Sequence, residues 1–321
     1  MRLPSLRRLS SGKLNLMMAP SMPPRRILVV RGGAIGDFIL TLPVLAALRV
    51  AHSQAAVAVL GSRECGEVAV AGGLAVEARV LEGREWTGFF VGNGTCDERA
   101  CQWLAGFDWV ISFLHDPDGV FAHNLRKVTK ARLVHGTHRP DGLHVVDHLL
   151  KPLDELGVVV CAEEFRLSVP RVELDGSGPW LAVHPGSGSE SKNWPEESWR
   201  VLLERVMVET GWNVLMIGGE AEAGRVGRLA EWLLASRVCL AEDWPLVRVA
   251  GALRCCDVFA GVDSGIRHLA EAVGLPGVVA WSGSDLSEWG PRGDRWLVLQ
   301  QEFGGVRVED MWIGLRKILP S

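Results

Sequence analysis

Short apolar runs alternate with longer amphipathic segments along most of this chain. The runs have the length of buried strands and the amphipathic segments that of helices, which is typical of an open parallel sheet in an α/β protein. The predicted strands are residues 26–31, 56–64, 109–115, 180–184, 212–218, 237–240, 257–261 and 277–281. The predicted helices are residues 37–51, 144–158, 196–210, 224–235, 245–255 and 264–273.

The alternating pattern occurs twice, on either side of a segment rich in Pro, Gly and Ser at 168–179. Such a composition is typical of a linker between domains. The last residues have apolar side chains at helical spacing, which predicts a closing amphipathic helix. We therefore expect two doubly wound domains at 26–168 and 179–305, a linker at 169–178 and a final helix within 306–321.

The first 25 residues are basic and contain no acidic side chain. Their apolar stretch is too short for an export signal, which needs about 7 to 15 apolar residues. We expect a disordered extension, or a true start at Met17, Met18 or Met22. The alternative is a weak attraction to anionic lipid, and so peripheral association with the inner face of a membrane.

Composition narrows the classes of function. With 48% hydrophobic residues in 321, the chain can bury one large core or two ordinary ones, which excludes a disordered or fibrous protein. A net charge of −4 argues against a protein that binds nucleic acid through its phosphates. Seven cysteines without a CxxC pair or zinc spacing favour reduced thiols and a cytoplasmic location.

A glycine-rich loop at 32–36 follows the first predicted strand. The dinucleotide-binding pattern GxGxxG would need glycine at two positions where Ala34 and Asp37 stand, which weakens the alternative of a nicotinamide-dependent oxidoreductase. Asp37 is either a carboxylate that caps the following helix or a general base. A role as general base is plausible by position, because ligands of open parallel sheets bind at the carboxyl ends of the strands, where Asp37 lies.

Two later loops contain the residue types of an anion site. Residues 184–195, HPGSGSESKNWP, combine small residues and hydroxyls with Lys192 just before a helix, without the GxxxxGK[ST] pattern of a P-loop. Residues 263–268, DSGIRH, open a helix directly after an apolar strand, so backbone N–H groups there can bind a second phosphate oxygen. For His268, a structural role and a role in anion binding are equally open.

Residues 113–148 hold six of the nine histidines. His144 and His148 lie one helical turn apart, but no third ligand accompanies them at a usual zinc spacing, so we predict no metal site. We expect instead a polar cleft for an acceptor, whose basic members suit an anionic sugar or phosphate. A solvated loop and helix face is the alternative. The predicted cleft residues are His115, Asp116 and Arg126, with Lys127 and Lys130 beside them.

Together these motifs resemble glycosyltransferase family 9, the ADP-heptose:lipopolysaccharide heptosyltransferases. The resemblance runs from about residue 26 to 319 and is carried by the segments RGGAIGDFILTLP, HPGSGSESKNWP, MIGGEAE, GVDSGIRHLAEAVGLP and SGSDLSEWGPRG. It implies a GT-B fold, with the acceptor on the N-terminal half, the nucleotide sugar on the C-terminal half and a last helix that packs back on the N-terminal domain. It also implies a bacterial inverting enzyme that transfers a heptose-type sugar from an ADP-sugar to a lipopolysaccharide core or related glycan, without a cofactor.

The resemblance also implies roles for single residues. Asp37 matches the catalytic base, and Lys192 with a helix N-terminus would hold the charge of the leaving diphosphate without a metal. Arg267 stands where Met or Leu is common and would extend the anion site or face solvent. If Asp37 is only a cap, the protein is a non-catalytic nucleotide-sugar-binding protein. The implied donor-binding residues are Ser187, Gly188, Lys192, Glu220, Asp263, Ser264, Gly265 and His268.

Overall fold

The structure is a computed structural model that describes residues 22–92, 94–137, 140, 142–160, 165–219, 222, 224–300 and 305–319. The predictions for the chain before Met22 and for Glu220 lie outside these residues. Within the described ranges, no helix combines the length and the apolarity needed to cross a membrane.

The first half contains five parallel strands in the order β3-β2-β1-β4-β5. The strands are β1 (Arg26–Arg31), β2 (Ala56–Gly61), β3 (Glu77–Val80), β4 (Trp109–Ser112) and β5 (Arg132–His135). The helices are α1 (Ile35–Ile39), α2 (Leu42–Ala51), α3 (Arg63–Ala71), α4 (Glu98–Ala105), α5 (Val120–Val128), α6 (Val145–Leu150) and α7 (Pro152–Glu155).

The second half contains six parallel strands in the order β11-β10-β9-β6-β7-β8, so the predicted α/β class is confirmed. The strands are β6 (Trp180–His184), β7 (Asn213–Gly218), β8 (Val238–Glu242), β9 (Val258–Val262), β10 (Gly277–Trp281) and β11 (Trp296–Gln300). The helices are α8 (Glu196–Glu209), α9 (Arg225–Ala230), α10 (Leu246–Leu253), α11 (Gly265–Ala272), α12 (Leu286–Trp289) and α13 (Val308–Ile318).

The long helix predicted at 37–51 is wrong in detail, because the structure has two helices, α1 and α2, in its place. Pro43 lies in the first turn of α2 and has no N–H to donate to the carbonyl four residues earlier, so one continuous helix would lose that bond. The Thr41 hydroxyl donates to the Asp37 carbonyl at 2.8 Å across the break. Asp37 therefore lies in a short helix of its own, ahead of α2.

The expectation that the last helix packs back on the N-terminal half is also wrong. The helix α13 lies against β10, β11 and α8 of the second half. Its buried Met311, Trp312 and Leu315 join the same apolar cluster as residues of that sheet. Gly314 faces the sheet, where an added Cβ would come within 2.7 Å of Leu297. The buried apolar side chains of the helix thus pack within the second half.

The two halves meet through paired helices, with α1 against α11 and α3 against α10. One apolar cluster contains residues of both halves, among them Phe38, Cys65, Leu253 and Leu269. The helix α1 follows β1 and α11 follows β9, so their contact brings the loops at the carboxyl ends of both sheets together. Ligands of open parallel sheets bind at such edges.

Candidate functional site

Asp37 lies in the first turn of α1, three residues after the N-cap, which is Ala34. One carboxylate oxygen, Oδ2, accepts the backbone N–H of Ala34 at 3.2 Å, and the other, Oδ1, accepts from Arg31 Nη2 at 3.1 Å. The side chain is nevertheless 31% exposed. The carboxylate thus stabilises the helix start and is still open to a second molecule.

Arg31 is a functional candidate that the sequence reading missed. It ends β1, is only 2% exposed and donates from Nη1 to the carbonyl of Phe113 at 3.3 Å. Burial lowers the pKa of its guanidinium, and Asp37 acts in the opposite direction. The signal in the sequence was an arginine directly after four buried apolar residues and directly before the glycine loop. Its position fixes the carboxylate of Asp37.

Two glycines allow the halves to touch beside Asp37. A Cβ at Gly36 would lie 3.2 Å from the ring of His268 and 3.4 Å from the Cα of Gly265. A Cβ at Gly265 would lie 3.0 Å from the backbone nitrogen of Gly36. Such contacts are tighter than ordinary van der Waals packing, so the absence of a side chain here permits the close approach. The structure therefore brings the predicted base next to the predicted donor-binding residues Gly265 and His268.

The loop between β6 and α8 is held mainly by its own polar groups. Ser187 donates its backbone N–H to Asn193 at 2.8 Å and its hydroxyl to the carbonyl of Ser189 at 2.9 Å. The hydroxyl of Ser187, expected to bind the diphosphate, is thus engaged in shaping the loop. Gly188 faces open space, because nothing lies within 4 Å of a Cβ built on it.

Lys192 joins this loop to the two loops that follow β9 and β10. Its Nζ donates to Asp263 Oδ2 at 2.6 Å and to the hydroxyl of Ser284 at 2.7 Å. Ser284 also donates to Asp263. Asp263 is only 5% exposed, whereas Lys192 is 29% exposed. An ammonium has three N–H donors, so one remains for a ligand oxygen. Ser284 is a second residue that the sequence reading missed.

Ser264 is the N-cap of α11, since its hydroxyl accepts the backbone N–H of Arg267 at 3.3 Å. Ser264, and not the preceding Asp263, therefore caps the helix. The first N–H groups of the helix, those of Gly265 and Ile266, have no acceptor within the helix and carry its positive dipole end. These groups are suited to an anionic oxygen.

Arg267 does not face solvent, as one sequence alternative had it, because the side chain is fully buried. Its Nη1 donates to Glu271 at 2.7 Å, and its Nη2 donates to the carbonyl of Trp289 at 2.7 Å and lies 2.9 Å from His268 Nε2. Burial, and secondly the Arg267 charge, lower the pKa of His268 well below the ordinary histidine value. His268 is therefore neutral beside the arginine.

A second buried histidine ends β6. His184 donates from Nδ1 to the carbonyl of Ile217 at 3.0 Å, and its Nε2 lies 3.8 Å from Glu222 Oε1. Burial lowers the pKa of His184, while the charge of Glu222 acts in the opposite direction. A Cβ at Gly186 would lie 2.5 Å from Glu222 Cγ, so the carboxylate packs beneath the loop. The His184–Glu222 pair therefore packs against the buried side of the loop between β6 and α8.

These two histidines predict a loss of stability in mild acid. An unfolded chain protonates histidine near pH 6.5, but the lowered pKa values of His184 and His268 delay protonation in the folded state. Below pH 6.5 the unfolded state thus binds more protons, so the free energy of unfolding should fall by at most about 1.4 kcal/mol per pH unit for each histidine. Urea unfolding at pH 7.5, 6.5 and 5.5 measures this slope. A flat profile below pH 6.5 would contradict the neutral state of both rings.

The predicted acceptor residues lie at the same edge of the first sheet as Asp37. Ser112 of β4 pairs with Val30 of β1, so the residues after β4 neighbour the glycine loop. Asp116 accepts the backbone N–H groups of Phe121 and Ala122 at 3.1 and 2.9 Å and so holds the start of α5. His115 and Arg126 are exposed. Their role with an acceptor stays a prediction.

The two histidines considered for zinc have other contacts. His144 accepts the backbone N–H of Val146 on Nδ1 and donates from Nε2 to the carbonyl of Gly290 at 3.0 Å. His148 Nε2 contacts Thr137. In the described part of the chain, no three or more His, Cys, Asp or Glu side chains are grouped so that they could hold a metal ion.

Comparison with known proteins finds a family match in the second half. Residues 155–305 match the model of glycosyltransferase family 9 (heptosyltransferase), and this segment contains the loop 184–195 and residues 263–268. Lipopolysaccharide heptosyltransferase 1 of Pseudomonas aeruginosa is 38% identical over 109 residues, which are 32% of this chain and 29% of that protein. The aligned region thus spans less than a third of this relative's length. The similarity to family 9 predicted from the motifs is confirmed.

Solved structures match over most of the chain. A family 9 glycosyl transferase from Veillonella parvula has a TM-score of 0.75 at 19% identity and covers 92% of this chain and 97% of its own. The Escherichia coli heptosyltransferase WaaC with ADP-2-deoxy-2-fluoro heptose has a TM-score of 0.73 at 19% identity, with coverage of 91% and 99%. At these identities the likeness concerns the fold, and the predicted GT-B fold is confirmed.

Proposed function

We propose that this protein, with its GT-B fold and its family 9 segment, is a glycosyltransferase that moves a sugar from a nucleoside diphosphate to a glycan acceptor. The observation that carries the proposal is the contact of Gly36 with Gly265 and His268. It joins the loop of a partly exposed carboxylate, Asp37, to a cluster of anion-binding groups around Lys192. A base beside a diphosphate site is the arrangement that sugar transfer to a hydroxyl requires.

The donor's diphosphate would bind between Lys192 and the N-terminus of α11. The third N–H of Lys192 and the first backbone N–H groups at Gly265 and Ile266 would donate to the oxygens that gain charge as the sugar leaves. Asp263 and Ser284 hold the ammonium in place before the donor arrives. This chain therefore supplies the stabilising positive charge from its own groups. Glu220 remains the proposed contact to the ribose.

In the transfer step the acceptor hydroxyl attacks the anomeric carbon and its proton passes to Asp37. The bond from that carbon to the diphosphate oxygen breaks, and the nucleoside diphosphate leaves. A single displacement of this kind inverts the configuration at the anomeric carbon. Arg31 keeps the carboxylate oriented through the 3.1 Å contact between its Nη2 and Asp37 Oδ1.

We assign the donor to the ADP-heptose class and the acceptor to a lipopolysaccharide core or related glycan. The motifs of five loops, the family match and the name of the Pseudomonas aeruginosa relative support this assignment. His115, Asp116 and Arg126 are the proposed acceptor residues. The enzyme would act in the cytoplasm, where a lipid-linked acceptor would bring it to the inner face of the membrane.

Thermal unfolding with ADP, UDP, GDP and NAD tests the donor class. We expect ADP to raise the melting temperature and the other three to leave it nearly unchanged, because a ligand that binds only the folded state stabilises it by about 2.7 kcal/mol at 100 times its Kd. Transfer from ADP-heptose, followed by the release of ADP, is the direct assay. If NAD stabilises the protein at a lower concentration than ADP, the oxidoreductase alternative replaces this proposal.

A further inference from the structure

Arg267 is a fully buried cation in the middle of the groups assigned to the donor. Its guanidinium contacts Glu271, the carbonyl of Trp289 and the ring of His268, and its Nη2 lies 3.7 Å from Asp263 Oδ1. Burying a charge is costly unless it is paired and hydrogen-bonded. Several partners therefore compensate the buried charge of Arg267, and the guanidinium in turn fixes the positions of these partners.

The contact with His268 decides which ring nitrogen carries the proton. A guanidinium has only N–H donors, so His268 Nε2, at 2.9 Å from Arg267 Nη2, must accept with its lone pair. The ring of this neutral histidine then carries its proton on Nδ1. The Cδ2–Nε2 edge of the ring faces Gly36 and Arg267, which leaves Nδ1 on the opposite side.

The Nδ1 of His268 is buried and has no hydrogen-bond partner among the described residues. The residue as a whole is only 6% exposed, so water does not take the place of that partner at the surface. A buried N–H without an acceptor lowers the stability of the folded state, because its desolvation is not compensated by a hydrogen bond. Neutral histidine with a fixed Nδ1–H cannot accept on that side, so a ligand that relieves this cost must offer a hydrogen-bond acceptor. Anionic oxygens are the strongest acceptors for such a donor.

Through its contact with Trp289, Arg267 also influences the position of Lys192. Trp289 ends α12, which follows Ser284 within the same loop between β10 and β11. Ser284 in turn contacts both Lys192 and Asp263. By holding the carbonyl of Trp289, Arg267 fixes the loop whose hydroxyl orients the ammonium of Lys192.

We propose that Arg267 is a positioning residue of the donor site, which sets His268 as an Nδ1–H donor toward an anionic oxygen of the nucleotide sugar and holds the Ser284 loop against Lys192. This inference rests on the proposed function for the identity of the ligand. The tautomer itself is a property of the protein without ligand and can be tested separately.

Long-range ¹H–¹⁵N NMR correlations of the histidine rings test the tautomer in the unaltered protein, with His268→Asn supplying the assignment. We expect Nδ1 of His268 to be protonated and Nε2 to be an acceptor, and we expect ADP to shift the Nδ1 resonance. In Arg267→Met the preference for the Nδ1–H tautomer should disappear. A protonated Nε2 in the unaltered protein would overturn the proposal outright.

Calorimetry with ADP tests the role in binding. Arg267→Met and Arg267→Lys should each weaken ADP binding roughly tenfold or more, because neither side chain can bond Glu271 through one nitrogen and both His268 and Trp289 through another. Arg307→Met, which removes an exposed arginine that caps α13 and pairs with Asp310, is the control and should bind ADP as the parent does. A purely structural role of Arg267 would lower the melting temperature of its variants and leave ADP affinity intact, which would refute the proposal.

Substitutions of the histidine keep the test decisive if the arginine variants do not fold. The amide of His268→Asn reaches the place of Nδ1, and that of His268→Gln the place of Nε2. Asparagine should therefore bind ADP within about threefold of the parent, while glutamine should lose roughly tenfold. Equal loss in both, with ADP bound by the parent, refutes the donor role of Nδ1 and leaves the proposed function intact. If the parent itself does not bind ADP, the proposed function fails together with the ligand assignment.

Discussion

Asparagine in place of Asp37 should lower the rate of sugar transfer roughly 10²- to 10⁴-fold, the loss typical of a removed general base, while ADP binds as before. The amide has nearly the shape of the carboxylate but cannot take the proton of the acceptor hydroxyl. ADP affinity should persist because the donor groups, Lys192 and the N-terminus of α11, belong to the other half. Initial rates with ADP-heptose and calorimetry with ADP measure the two effects.

The same substitution should also reduce stability, because Arg31 loses its charged partner. A fully buried ion pair broken on one side costs about 3–5 kcal/mol, but Asp37 is 31% exposed, so we expect about 1–2 kcal/mol. Rates must therefore be compared well below the melting temperature. Asp108→Asn is the matched control, since Asp108 is an exposed carboxylate that accepts the backbone N–H groups of Arg25 and Arg26 at the other end of β1.

The control should lose stability without losing turnover. If Asp37→Asn instead transfers sugar at nearly the parental rate, Asp37 is only a helix-stabilising carboxylate. The protein would then bind its nucleotide sugar with the base still to be found, or without catalysis.

Removal of the Lys192 ammonium should weaken ADP binding roughly 10- to 100-fold. A hydrogen bond to a charged group contributes about 1.5–3 kcal/mol, and Lys192 offers its third N–H to a phosphate oxygen. Lys192→Met keeps most of the side-chain volume, and Asp263 keeps Ser284 and the nearby Arg267 as partners, so the fold should persist. Calorimetry with ADP measures the loss.

Lys317→Met, in the last turn of α13, removes the same charge away from these loops and should leave ADP affinity unchanged. An unchanged affinity in Lys192→Met would show that the loop at 185–195 does not bind the diphosphate. Weaker binding in both variants would point to a general effect of net charge rather than to a site.

Strands were predicted more accurately than helices. The strands at 26–31, 180–184 and 277–281 agree with the structure to the residue, because strands buried on both faces of a parallel sheet are continuous apolar runs. The edge strand β3, with sequence EARV, was not predicted, since only part of it is covered and its polar residues break the run. The helix predicted at 37–51 was too long because its apolar pattern continues across Pro43.

The amino-acid sequence was sufficient to place the chemical groups at the ends of strands. Asp37 follows β1, Lys192 lies in the loop after β6, and Asp263 follows β9, and parallel strands put such groups at one edge of each sheet. The placement of a residue after a strand depends only on the pattern of neighbouring residues along the chain.

The pairing of these groups was decided by the tertiary structure. The Lys192 ammonium contacts Asp263, which lies 71 residues further along the chain. The Asp263 carboxylate contacts Ser284, which lies another 21 residues along. Arg31 and Arg267 are buried beneath the site, a burial that their charge alone does not predict. The approach of Gly36 to Gly265 and the packing of α13 on the second sheet depend on how complementary surfaces fit. Such contacts join residues far apart in the chain, and their energies arise only when both surfaces are folded.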